Sequence, residues 1–205
     1  AMIIGTAGFT AMLCVQALAD QHITPERGEI LVTGASGGVG SVAITLLNKL
    51  GYRVAAVTGR PEQNGDLLRS LGAQRIIERA ELAQPAKPLE STRWAGAVDT
   101  VGSQILAKVL AQTEYDGAVA ACGLAGGMDL PTTVMPFILR NVKLIGVDSV
   151  YCPYEKRVAA WQKVAELLPE SYYAAASNEI ALEAVPEAAA QIIRGEITGR
   201  TLVKL

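Results

Sequence analysis

The 205-residue sequence contains one histidine, His22, and three cysteines, Cys14, Cys122 and Cys152. A zinc site of ordinary composition needs several such ligands at short spacing, and no two of these cysteines form a CxxC pair. Odd in number and far apart, the thiols fit a reducing compartment, so the cytoplasm is the expected location. An excess of one charge is also lacking. A net charge of −2 leaves no basic footprint for nucleic acid or an anionic membrane surface. No apolar run reaches the length of a membrane span. The opening Ala1-Met2-Ile3-Ile4-Gly5 lacks the basic stretch of a signal peptide, so none is expected. What the chain has is apolar residues, 50% of the total against 19% charged, the balance of a globular protein. Its length suits one domain or slightly more around a large core.

One stretch organises the rest. Ile30-Leu31-Val32 reads as a buried strand, Thr33-Gly34-Ala35-Ser36-Gly37-Gly38-Val39-Gly40 as a glycine turn, and Ser41 to Leu47 as the helix that follows. Gly34 suits the tight turn, the next glycines let backbone amides approach a pyrophosphate, and Gly40 permits close helix packing. The helix N-terminus then faces the anion with its free amides and dipole. A strand before the glycines and an apolar helix after them give the context that makes a dinucleotide site the expectation.

Along the chain, Thr6 to Ala19 has helical apolar spacing. Its opening, Gly5 to Thr10, admits either capping with close packing or a nicotinamide contact. Strands are expected at Tyr52–Val57, Arg75–Ile77, Ala95–Asp99, Gly117–Cys122 and Val142–Val147, and helices at Leu67–Leu71 and Ile105–Gln112. Glu81 to Arg93 reads as a loop or broken helix. The alternation predicts an α/β fold: a Rossmann-type, doubly wound parallel sheet of six strands spanning residues 1–150. Residues 151–205 differ. A helix over Glu155–Leu168 with Trp161 as anchor, a helix near Pro186–Arg194 and a strand at Thr201–Lys204 have no evident place in that sheet.

The tip of the second strand bears on cofactor choice. An NAD-preferring site places Asp or Glu there for the ribose hydroxyls, whereas an arginine accommodates a 2′-phosphate. Here the tip is Thr58-Gly59-Arg60, with a hydroxyl, an open amide and a guanidinium and no acid, so NADP(H) is expected. The competing reading makes Arg60 a solvated loop charge. The glycine turn also satisfies the TGxxxGxG pattern of short-chain dehydrogenases, which pair a tyrosine with a lysine four residues on. None of Tyr52, Tyr115, Tyr151, Tyr154, Tyr172 and Tyr173 has that lysine.

Gly5-Thr6-Ala7-Gly8-Phe9-Thr10-Ala11-Met12, the glycine turn, Asp99-Thr100-Val101-Gly102, Leu139-Arg140-Asn141-Val142 and the closing Gly199-Arg200-Thr201-Leu202-Val203-Lys204 occur in order. Together they closely resemble the bacterial acrylyl-CoA reductase family, a zinc-free, quinone-oxidoreductase-like branch of the medium-chain dehydrogenases. The resemblance covers essentially the whole chain. It implies a longer protein in which a GroES-like catalytic domain precedes this nucleotide-binding part and residues 151–205 return to it. It further implies cofactor contacts at Ser36, Gly37, Gly38 and Val39, and a 2′-phosphate loop of Thr58, Gly59 and Arg60. The family's second arginine falls near Glu78 and Arg79, of which Arg79 is the candidate. Leu124, Ile138 and Ser149 become cleft walls; read without the resemblance, the first two suit a core and Ser149 a strand end.

The implied activity is NADPH-dependent reduction of the C=C bond of an acrylyl-CoA-type enoyl thioester. Alternatives are a quinone or enone reductase, which shares every motif, and a non-catalytic NADPH-binding domain. No catalytic residue and no metal ligand is assigned. The partners expected are a small-molecule substrate and a second copy of the chain, paired through the apolar edge strand 142–147, with no nucleic acid and no membrane.

Overall fold

The structure, a computed structural model, describes all 205 residues. Helix α1 (Gly5–Asp20) leads into β1 (Glu29–Val32), α2 (Gly38–Lys49), β2 (Arg53–Thr58), α3 (Pro61–Ser70), β3 (Arg75–Glu78) and the one-turn α4 (Arg79–Leu82). Then come β4 (Trp94–Asp99), α5 (Ser103–Gln112), β5 (Thr113–Ala121), α6 (Met135–Arg140) and β6 (Lys143–Gly146). The remainder is α7 (Tyr154–Leu167), α8 (Glu170–Ala175), β7 (Ser177–Ala181), α9 (Val185–Ile193) and β8 (Arg200–Lys204).

Six strands form one parallel sheet in the order β3-β2-β1-β4-β5-β6. The order reverses between β1 and β4, where Leu31 lies between Ala55 and Ala97, so the crevice of a doubly wound sheet opens at the carboxyl end of β1. Buried on both faces, the central strands carry apolar residues at nearly every position. Ile30, Val32, Val54, Ala56, Ala118 and Ala120 face a large core shared with α1, α2 and α7, whereas Leu31, Ala55, Val57 and Val119 face a smaller one under α5. The small side chains of β4 and β5 let α1 lie close. Ala11 and Cys14 are fully buried, and an added Cβ at Gly8 would come 3.4 Å from Ile4 Cβ and 3.7 Å from a Val42 methyl.

Differences from the sequence expectations are local. Helix α3 begins at Pro61 rather than Leu67, with proline in its first turn where no amide is needed. Strand β5 starts earlier, at Thr113. The tail strands do stand outside the main sheet, forming a parallel pair of their own, β7 with β8. Helix α7, however, seats on this chain: Ala160 and Val164 are fully buried in the main core, and Trp161 stacks on Phe9 at 6.2 Å between centroids, 5° from parallel. Helix α8, which the sequence pattern does not reveal, buries Tyr172, whose hydroxyl lies 3.0 Å from Ser41 Oγ. Helix α9 buries nothing, and Ile192 and Ile193 are exposed.

Candidate cofactor-binding site

The glycine turn is shaped by main-chain geometry. Gly34 has φ +58°, a conformation that favours glycine, and an added Cβ would overlap the Thr100 side chain. Gly37 has extended backbone and leads into α2 without a side-chain cap. The first helical bond in this turn is Ser41 N to the Gly37 carbonyl (3.0 Å), so the amides of Gly38, Val39 and Gly40 have no helical partner. They form an anion-ready helix end. Gly40 packs on the turn itself: an added Cβ would overlap the Gly34 oxygen and stand 2.7 Å from Ala35 Cα.

The neighbouring strand end is braced by a buried carboxylate. Asp99 accepts from the Thr33 hydroxyl (2.7 Å) and the Gly102 amide (2.8 Å), and Thr33 Oγ1 accepts from Thr100 N (3.0 Å). Burial pushes the Asp99 carboxyl above its usual range, against the pull of these bonds. Just past β5, the Cys122 thiol donates to the Asp99 carbonyl (3.5 Å). The neighbouring Cys122 thiol, with burial, pushes the Cys14 thiol well up.

Between the β1 turn and the β2 tip lies a cavity of about 520 Å³. Ser36, Gly37, Thr58, Gly59, Arg60 and Arg79 line it, so residues expected at the glycine turn and near the β2 tip meet there. Gly38 and Val39, the first residues of α2, are not among the lining residues. The Arg79 guanidinium lies over Gly59, where a Cβ would be 2.9 Å from it. Leu124, Ile138 and Ser149 are not among the lining residues. The first two are 64% and 72% exposed, and neither is core. Of the reading of Gly5–Thr10 as capping with close packing, the packing holds, since Gly8, Phe9 and Thr10 are buried, but no side chain caps α1 and Thr10 Oγ1 bonds the Thr6 carbonyl at 2.8 Å. A second cavity, about 330 Å³ between α1 and α7, has no glycine turn.

Sequence reasoning missed one wall. Residues 194–197, from the tail, line the same cavity, as do Thr100, Val101 and Ala125. The tail is fastened by Gly199 N to the Ser36 carbonyl (2.8 Å) and by Arg200, whose Nε bonds the Ile3 carbonyl (2.8 Å). The Arg200 guanidinium stands 2.9 Å from the point where a Gly38 Cβ would be, a cation beside the free amides of α2. Gly199-Arg200 and Ser36 each sit in a motif, but nothing in the sequence signals that they join across 163 residues.

A six-stranded parallel sheet in this order, with an uncapped glycine-turn helix at its switch point, defines a Rossmann-type dehydrogenase domain. The family model described as zinc-binding dehydrogenase matches residues 38–169, and the chain belongs to that family. It is 62% identical to the probable acrylyl-CoA reductase AcuI of Escherichia coli (strain K12), over all of this chain and 63% of that protein. It is 46% identical to the putative quinone oxidoreductase YhfP of Bacillus subtilis (strain 168), over all of this chain and 62% of the relative. The crystal structure of the yhdH oxidoreductase from Salmonella enterica in complex with NADP superposes with a TM-score of 0.97 at 62% identity, covering all of this chain and 62% of that one. The chain thus spans under two thirds of these relatives. Despite the family's description, its residues do not fit a zinc ion: no three His, Cys, Asp or Glu side chains converge, and Cys14 is fully buried.

Proposed function

We propose that this chain is the NADPH-holding part of an oxidoreductase that reduces the activated C=C bond of acrylyl-CoA-type enoyl thioesters. The carrying observation is one cavity that joins an uncapped glycine-turn helix to Arg60, just past β2, and Arg79 of α4, with no acid at the β2 tip. The 62% identity to a protein named as an acrylyl-CoA reductase supports the substrate class. In this reading the amides from Ser36 to Val39 and the Arg200 guanidinium hold the pyrophosphate. Thr58, Gly59, Arg60 and Arg79 take the 2′-phosphate as donors, with no acid at the β2 tip itself. Leu124, Ile138 and Ser149, outside the cavity lining, wall the nicotinamide end. When bound, NADPH supplies the hydride. The chain orients it, and no catalytic residue is assigned here.

Residues 1–150 act as the nucleotide-binding domain, while 151–205 serve in part a catalytic domain. Strand β6, at the sheet edge, pairs with its mate in a homodimer of the cytoplasmic enzyme. Its position and the exposed Leu139, Val150 and Tyr151 beside it support that arrangement. Light scattering showing only monomer at high concentration would refute it.

The test is titration with NADPH and NADH. NADPH binds more tightly, and Arg60→Ala or Arg79→Ala erases most of the difference. Equal affinities in the unaltered chain would overturn the cofactor assignment. A quinone or enone as substrate is the second reading, favoured by the Bacillus relative's name. Relative turnover of acrylyl-CoA and a quinone separates the two.

A further inference from the structure

Asn64 is a buried polar residue on α3, 4% exposed, and Thr58 at the β2 tip is 3% exposed. A core has no use for either amide or hydroxyl unless its bonds are met. They are met in a closed ring that reaches from β2 to the tail. Thr58 Oγ1 accepts from the Arg60 amide (3.2 Å) and from Asn64 Nδ2 (3.5 Å). Asn64 Oδ1 accepts from the Thr198 hydroxyl (3.0 Å). Thr198 Oγ1 in turn accepts from Arg60 Nη2 (3.3 Å), which closes the ring.

The same guanidinium also donates to the carbonyls of Glu196 (2.5 Å) and Ile197 (3.2 Å). Every acceptor of Arg60 is therefore neutral. The Glu196 carboxylate, which also lines the cavity, pairs with Arg194 at 2.9 Å and makes no hydrogen bond to Arg60. An arginine fixed by carbonyls and a hydroxyl keeps its charge for an anion, and a fixed fork loses less freedom when it binds one.

We propose that Thr198 and Asn64 are positioning residues that set the selectivity of this site for a phosphate-bearing dinucleotide, holding Arg60 against the tail so that its charge faces the cavity. The inference rests on the NADPH reading above and adds two residues from outside the β2 tip to it.

The experiment compares NADPH and NADH dissociation constants for the unaltered chain, Thr198→Val, Thr198→Ser, Arg60→Ala and the Arg60→Ala/Thr198→Val pair, with each fold checked by circular dichroism. Losing one bond that orients a charged group weakens NADPH binding about tenfold in Thr198→Val. NADH binding stays the same, and Thr198→Ser, which keeps the hydroxyl, restores the NADPH affinity. Because Thr198 acts through Arg60, the double variant binds no more weakly than Arg60→Ala alone. If Thr198→Val binds NADPH normally while Arg60→Ala does not, the inference falls. Equal weakening toward both dinucleotides also overturns it, since that marks a wall and not a selector. If Arg60→Ala loses nothing selectively, the 2′-phosphate reading of Arg60 fails first and the inference falls with it.

Discussion

Gly40→Ala tests whether helix α2 is set by contact with its own turn. An added Cβ would overlap the Gly34 carbonyl oxygen and stand 2.7 Å from Ala35 Cα and 2.9 Å from the Ala35 oxygen. All three are main-chain atoms, so no side chain can swing aside, and α2 must retreat by about 0.7 Å to reach ordinary contact. Overpacking of this kind costs about 1–3 kcal/mol, and backbone partners place it near the top of that range. Alanine returns up to about 1 kcal/mol as a better helix former. The net loss is about 2 kcal/mol, or about 4–8 °C in melting temperature for a chain of this size. Gly37→Ala is the control. Its φ is −81°, and an added Cβ meets only the Gly34 oxygen, at 3.2 Å. Stability there falls by less than about 1 kcal/mol, because the poorer N-cap and the tight carbonyl contact offset the gain in chain stiffness, while NADPH affinity falls because the methyl group enters the pyrophosphate position. Urea denaturation and a nucleotide titration of both variants separate the two effects. Gly40→Ala melting with the parent chain would refute the packing argument.

Thr33→Val removes the donor to Asp99 and the acceptor for Thr100 N in one change, leaving a buried carboxylate short of a partner. It should cost about 3 kcal/mol in urea denaturation, and a loss under 1 kcal/mol would count against the network. Asp99 itself gives a pH signature. Burial holds its folded-state pKa above the unfolded value, so between the two the folded chain binds more protons, and stability falls as pH rises through that window. Asp99→Asn removes this slope, so the advantage of the parent chain over the variant shrinks from acid toward neutral pH. Parallel stability curves would contradict it.

The strands, the glycine turn and most helices were legible because each is a local pattern: apolar runs of strand length, glycine after β1 and helical spacing in α1 and α7, although the proline that opens α3 went unread. The β2 tip was legible for the same reason, since Thr58, Gly59 and Arg60 are adjacent. What was not legible joins distant segments. Arg60 and Thr198 are 138 residues apart. Nothing in Glu196-Ile197-Thr198 marks its carbonyls as acceptors for an arginine just past β2. Helix α8 is short and holds by one buried tyrosine against Ser41, a contact no periodicity encodes. Arg140, singled out within a motif, turns out to tie segments together, donating to the carbonyls of Glu90 (2.6 Å) and Ala111 (2.8 Å). Its role follows from where the loops end, which the sequence does not display.

The bond from Gly199 to Ser36 has a consequence for synthesis. A ribosome delivers the chain from its amino end, so β1 through β6 can assemble while the tail is still being made. The cavity wall at 194–197 and the latch at Thr198 cannot exist until those residues have emerged, after all six strands of the sheet. A nascent chain therefore presents its sheet with an open phosphate site. Any help the dinucleotide gives to folding through binding the native state is complete only once those tail residues are made.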